Sequence, residues 1–337
     1  RDFARPGGIL ETGFLKLWSA INARISRSDV DLLALTGEHH LDDGAYASRR
    51  PALESIRIPM LVCGSFSDHC LHSRGSFEAF SRAGSPQKWL WTHRGGKWST
   101  FYSEEAFAAQ RSFFDHFLKG VANGWEQQPA VRLCLVDGEA PGRHRIEHLD
   151  AFPPAAAELR RLNLTQSGGL SAAAAPSETS IVWHPKDPPL RWMLQVERCT
   201  DLIGAMELEL AVNADDDLDL FVGLGKWRGG QRVGYEGSYG FDNDYLTHGM
   251  LRLSQREVDP SRSVPGAPVL HHQCSLPIRS GELMRLRIPL LPTATRLHPC
   301  ESLGLELHRR WFFPHQPVTD RKSTRLNSSH ANISYAV

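Results

Sequence analysis

The apolar residues of this chain change period near Gly120, and that change decides what each part can fold into. Before it, helical spacing alternates with short continuous apolar runs. Ile9, Leu10, Phe14, Leu17, Trp18, Ile21 and Ile25 recur at steps of three and four, which predicts an amphipathic helix over 9–25. The run I-R-I-P-M-L-V-C at 56–63, rich in branched apolar residues and followed by Gly64, predicts a buried parallel strand. Phe77 and Phe80 mark a helix over 73–83, and W-L-W at 89–91 a second strand. A further helix is expected over 103–118, with Glu104 and Glu105 in its first turn and Lys119 and Gly120 at its close. Its apolar face is Ala106, Phe107, Phe113, Phe114 and Phe117. Strand, helix, strand, helix is the α/β order, in which functional groups collect at the C-terminal strand ends.

After Gly120 the runs are short and several alternate: 131–136, 206–212, 218–224, 250–254, 284–291 and 303–308, separated by Gly, Pro and Asp. This predicts an antiparallel β-sandwich beyond a boundary at 123–129, with surface connections at 152–157 and 171–176. In 206–212 alternation turns Leu208, Leu210 and Val212 inward and Glu207 and Glu209 outward. A length of 337 residues, 41% hydrophobic and 23% charged, fits a globular protein of about two domains. With 38 basic and 38 acidic residues there is no electrostatic footprint for nucleic acid, and no apolar run reaches the roughly 18 residues of a membrane helix. Neither kind of partner is expected. Cys63, Cys70, Cys134, Cys199, Cys274 and Cys300 form no C-x-x-C pair and read as free, mostly buried thiols. A cytoplasmic location is the working expectation.

Asp68 ends G-S-F-S-D after the first strand, and His93 ends W-L-W-T-H on the second, one strand-helix-strand unit later. Adjacent parallel strands would bring this carboxylate and imidazole to one sheet edge, where an Asp can orient a catalytic His. Taken alone, a loop Asp is as readily a cap and a loop His a solvated residue. His69, Cys70 and His72 match no closed zinc set, and Asp215, Asp216, Asp217 and Asp219 lack the Gly and bidentate Glu of a calcium loop. No metal and no organic cofactor is expected. Trp98, Phe101 and Tyr102 read as packing before a helix rather than as a pocket wall.

The wording around the pair is more specific. I-P-M-L-V-C-G-S-F-S-D-H-C-L-H-S-R-G-S-F-E-A-F, K-W-L-W-T-H-R-G-G-K-W, A-Q-R-S-F-F-D-H-F-L-K-G and, at 248–263, H-G-M-L-R-L-S-Q-R-E-V-D-P-S-R-S resemble the CocE/NonD acyl hydrolases over roughly residues 1–315. These are relatives of cocaine esterase and the X-prolyl dipeptidyl aminopeptidases. The resemblance implies a cap-domain remnant at 1–50, the C-terminal part of an α/β-hydrolase domain at 51–125 and a jelly-roll sandwich at 129–319. It implies Asp68 as triad acid and His93 as general base of a serine hydrolase, acting on a small-molecule or peptide acyl substrate. The nucleophile departs from the pattern, because there is no G-x-S-x-G. E-G-S-Y-G at 236–240 lacks the first glycine and sits among sandwich strands, so Ser238 is expected to be a loop serine. The chain therefore reads as an internal fragment, inactive alone, with its nucleophile outside it. The alternative is a non-catalytic binding module, since jelly rolls often bind carbohydrate. Residues 320–337 back-translate to a short-read sequencing adapter, broken by an index-length gap at Ala331 and Asn332. A non-native tail without stable packing is expected there, allowing a short accidental helix or strand.

Overall fold

Among the described residues of the computed structural model, the α-helices α1 (Gly13–Ile25), α2 (Leu32–Glu38) and α3 (Gly44–Ala47) precede the first strand. The structure describes residues 4–10, 13–25, 31–68, 72–138, 144–173, 179–184, 186–237, 243–311 and 331–335. The first helix starts at Gly13 rather than at residue 9. Ile9 is instead buried with Phe221 and Met250, which ties the leading segment to the later half of the chain.

β1 (Met60–Ser65) and β2 (Lys88–His93) pair in parallel, from Met60 opposite Lys88 to Ser65 opposite His93. The strand begins later than the apolar run because Pro59 has no N–H to offer, and pairing starts with the Met60 N–H on the Gln87 carbonyl. Between them α4 (Ser73–Arg82) lays Phe77 and Phe80 on Val62 and Leu90. After β2 come the single-turn α5 (Lys97–Phe101) and α6 (Glu104–Lys119). The Ser103 hydroxyl caps α6 by accepting from the Ala106 N–H, and Gly120, at φ 71°, takes the left-handed conformation that ends it.

β3 (Val131–Val136) also pairs in parallel with β2, and β4 (His144–Leu149) pairs antiparallel with β3. Backbone pairing thus runs on past the expected boundary. The later strands are β5 (Asn163–Leu164), β6 (Leu170–Ser171), β7 (Thr179–Trp183), β8 (Leu190–Gln195), β9 (Thr200–Ala214), β10 (Asp219–Arg228), β11 (Gln231–Arg232), β12 (Thr247–Arg252), β13 (Met284–Leu297) and β14 (Glu301–His308). β9 pairs with β13, β13 meets β12 at Leu290 opposite Gly249, and the order continues β12, β10, β14, β8, all of these contacts antiparallel within the sheet that also contains β1 to β3. Leu208, Leu210, Val212, Leu286 and Ile288 meet Leu220, Val222, Leu305 and Leu307 in a shared core. Glu209 is exposed as alternation demands; Glu207 is largely covered, with its carboxylate paired to Arg287 Nε at 2.7 Å. No helix among the described residues is long and apolar enough to cross a membrane.

One expectation needs correction. Of the cysteines described, only Cys134 is buried, while Cys63, Cys199, Cys274 and Cys300 are exposed and all five are free. Cys63 points from β1 opposite the α4 face, and Cys199, Cys274 and Cys300 lie between strands, where no core covers them. In the tail a short strand of the kind allowed for is present. Residues 331–335 form β15 (Ala331–Tyr335), bonded to β7 on one side and β9 on the other. Two strands held one strand apart present unpaired backbone groups that an extended segment of almost any sequence can satisfy.

Candidate active site

Because Ser65 stands opposite His93, the segment leaving β1 and the end of β2 emerge at the same sheet edge. The Phe66 N–H donates to the His93 carbonyl at 2.8 Å, and serine hydroxyls tie the end of β1 to the start of α4. Ser65 and Ser67 join through their hydroxyls at 3.0 Å, and the Ser73 hydroxyl, at the start of α4, donates to the Ser65 carbonyl at 2.6 Å. Asp68 is thereby held 5% exposed, and its carbonyl accepts from the N–H groups of His72 and Ser73. Asp68 and His93 line one cavity of about 270 Å³ together with Ser65, His72, Lys97 and Trp98.

Within it each member of the pair has its own partner. The Lys97 ammonium donates to Asp68 Oδ2 at 3.0 Å, and His72 Nε2 lies 3.9 Å from the same oxygen. His93 Nδ1 is 3.1 Å from the Gly95 carbonyl. A carbonyl oxygen can only accept, so Nδ1 carries the proton and Nε2 keeps its lone pair. Burial pushes the His93 pKa below its ordinary 6.5, with the Arg132 and Lys97 charges acting the same way, and the Gly95 carbonyl and Asp68 charge offset only part of this. The ring is therefore a neutral base at pH 7, beside a buried carboxylate that favours its charged form.

His93 also borders a second cavity of about 290 Å³ beside β2 and β3, lined by Arg94, Arg132, Cys134, Tyr235 and Glu236. Burial raises the Cys134 thiol to about 11, so it is a packing group rather than a nucleophile. Arg132 stacks on Trp91 at 4.1 Å and donates to Glu105 at 2.8 Å. Sequence reasoning missed Lys97, Arg94 and Glu236. The first two lie in the quoted K-W-L-W-T-H-R-G-G-K-W, so their closeness to His93 was a signal; nothing local marks Glu236.

The other sequence candidates have structural roles or cannot be placed. Asp217 accepts from the Ser254 N–H and hydroxyl, Asp219 from Arg252, and Asp215 from Ser280. Trp98, Phe101 and Tyr102 are exposed, and the first two line the Asp68 cavity. His69, Cys70 and Ser238 lie outside the described residues.

The profile of the X-Pro dipeptidyl-peptidase C-terminal non-catalytic domain matches residues 123–309, more than half of the chain. The chain belongs to this family. Among solved structures, a CocE/NonD family hydrolase from Staphylococcus aureus shares 30% identity at a TM-score of 0.93, over 99% of this chain and 63% of its own. The X-Pro dipeptidyl-peptidase C-terminal domain is thus carried here by a relative of the CocE/NonD hydrolases that spans 63% of that structure's length. An aminopeptidase from a marine-sediment Thaumarchaeota archaeon (14% identity, TM-score 0.66, 96% of this chain and 62% of its own) shares the fold. So does an α-amino acid ester hydrolase (13% identity, TM-score 0.65, 99% and 62%). No curated protein matches the sequence. Asp68 and His93 lie before the matched domain, in the part shared with the hydrolases.

Proposed function

We propose that this chain is the C-terminal portion of a serine hydrolase that cleaves ester or amide acyl bonds through an acyl-enzyme, with a jelly-roll sandwich as its second domain. The observation that carries the reading is the shared cavity of Asp68 and His93, with the His93 Nδ1 proton engaged and Nε2 free. His93 Nε2 takes the proton of a serine hydroxyl supplied from outside this chain as the oxygen bonds to the acyl carbon. It then returns that proton to the alcohol or amine as the old acyl bond breaks. Water repeats the sequence to release the acid. Asp68 stabilises the imidazolium formed in each half. None of these steps calls for a metal or an organic cofactor.

The test is made in the complete gene product, with the 337-residue chain as control. A fluorophosphonate probe is expected to label the former and not the latter. His93→Ala should lower turnover by on the order of a millionfold, and Asp68→Asn, which removes the charge facing the imidazolium while the Gly95 carbonyl still holds the Nδ1 proton, by a smaller factor with binding retained. Near-normal turnover of His93→Ala, or robust labelling of the 337-residue chain, would overturn the proposal.

A further inference from the structure

We propose that the sandwich sets the ring tautomer of His93, with Arg94 and Glu236 as positioning residues. This rests on the reading of His93 as the general base and adds what keeps it in the usable form. The tautomer is dictated by the Gly95 carbonyl, 3.1 Å from His93 Nδ1. Gly95 stands in a Gly-Gly pair, the backbone with the greatest freedom to swing a carbonyl away. Both neighbours of Gly95 are fastened to the same distant segment. Before it, the Arg94 side chain, 3% exposed, donates from Nε to the Glu236 carbonyl at 3.1 Å, from Nη1 to Leu246 at 2.8 Å and from Nη2 to Tyr245 at 2.6 Å. Its guanidinium stacks 4.7 Å over the Tyr235 ring, and Asp244 lies 3.7 Å from Nη2. After it, the Gly96 N–H donates to Glu236 Oε1 at 2.8 Å.

That segment is itself anchored in the sandwich at both ends. The Tyr235 hydroxyl meets Thr295 of β13 at 2.9 Å, and the Tyr245 hydroxyl donates to the Glu306 carboxylate of β14. The Gly95 carbonyl is therefore held from two sides by a frame more than 140 residues away in sequence. The planar fork of Arg94 suits this task, because one rigid group satisfies three carbonyls at once. A domain that contributes no reacting group to the proposed chemistry thereby governs which imidazole nitrogen can accept a proton.

The experiment reads the ring directly, by long-range ¹H–¹⁵N correlation in the 337-residue chain, with the His93 signal assigned from its loss in His93→Asn. The wild type is expected to show the Nδ1–H form. Glu236→Ala removes the Gly96 acceptor and should shift the tautomer ratio toward Nε2–H by about fivefold or more, the worth of one ordinary hydrogen bond. Glu236→Gln, which keeps an acceptor oxygen, should restore the wild-type ratio. Arg94→Lys, which keeps the charge and loses the fork, should shift the ratio in the direction of Glu236→Ala while the fold, read by circular dichroism, is unchanged. A wild-type Nε2–H ring, or a ratio unmoved in both Glu236→Ala and Arg94→Lys, would overturn the proposal. No turnover enters this test. If the tautomer moves as expected while His93→Ala remains active in the complete gene product, the clamp stands and the general-base reading fails.

Discussion

Glu306→Gln tests how strongly the frame behind His93 is held. The Glu306 side chain, 5% exposed on β14, accepts from the Tyr245 hydroxyl and from Arg191 Nε at 2.5 Å, with His308 Nε2 at 3.5 Å. Burial alone would raise its pKa, but the bonds from His308, Tyr245 and Arg191, with the Arg191 charge, bring it from 4.5 down to about 2. A carboxyl depressed by folding binds its proton more readily in the unfolded chain. Its stabilisation is therefore complete above the unfolded value of 4.5 and is lost as pH falls through that value toward 2. A change from 4.5 to about 2 corresponds to about 3 kcal/mol at pH 7, and to about half that at pH 3. This is an upper figure, because Arg191 is 55% exposed and its charge is partly screened. Gln keeps the shape and one acceptor for Tyr245 and removes the charge. Urea unfolding at pH 7 and pH 3, followed by tryptophan fluorescence, should show the two proteins differing by up to about 3 kcal/mol at the higher pH, with the gap roughly halved at the lower. A difference that is the same at both pH values, or none at pH 7, would refute the assignment of that stability to the Glu306 charge.

The remaining expectations concern the site and the core. Since burial holds the His93 pKa below 6.5, the unfolded chain takes up that proton first; stability should rise with pH through the range below 6.5, and His93→Gln should flatten that rise in urea midpoints measured across it. Lys97→Met removes a charge that lowers the His93 pKa and releases the Asp68 carboxylate from its ammonium, so an NMR titration should find His93 titrating at higher pH than in the wild type. Leu286→Ala, at a position 1% exposed in the core around β13, should cost about 2–5 kcal/mol, whereas Glu209→Ala on the outer face of β9 should stay within about 1 kcal/mol by the same unfolding measurement.

The hydrolase-like half was legible because its signals are local. A serine cap and a left-handed glycine bound α6 within a residue of the expected ends, and the strand-helix-strand interval carried Asp68 and His93 to one edge. The alternation in β9 likewise separated Leu208, Leu210 and Val212 from Glu209. The partners inside the site were not legible in this way. A periodic pattern states which face of an element is apolar, but not which other element will arrive against it.

What the sequence by itself determined is therefore the type of each half and the two residues that the strand order juxtaposes. Hydrophobic period, caps and turn residues act over a few neighbours and can be read along the chain. Only the tertiary structure decided that β3 extends the parallel sheet beside β2, that Lys97 pairs with the Asp68 carboxylate and that the Gly95 carbonyl accepts the hydrogen bond of His93 Nδ1. It alone brought Glu236, Tyr245 and Leu246 to Arg94 and Gly96. Such contacts are made when elements distant in the chain pack together and buried donors must find acceptors wherever the backbone supplies them, which no spacing in the chain encodes.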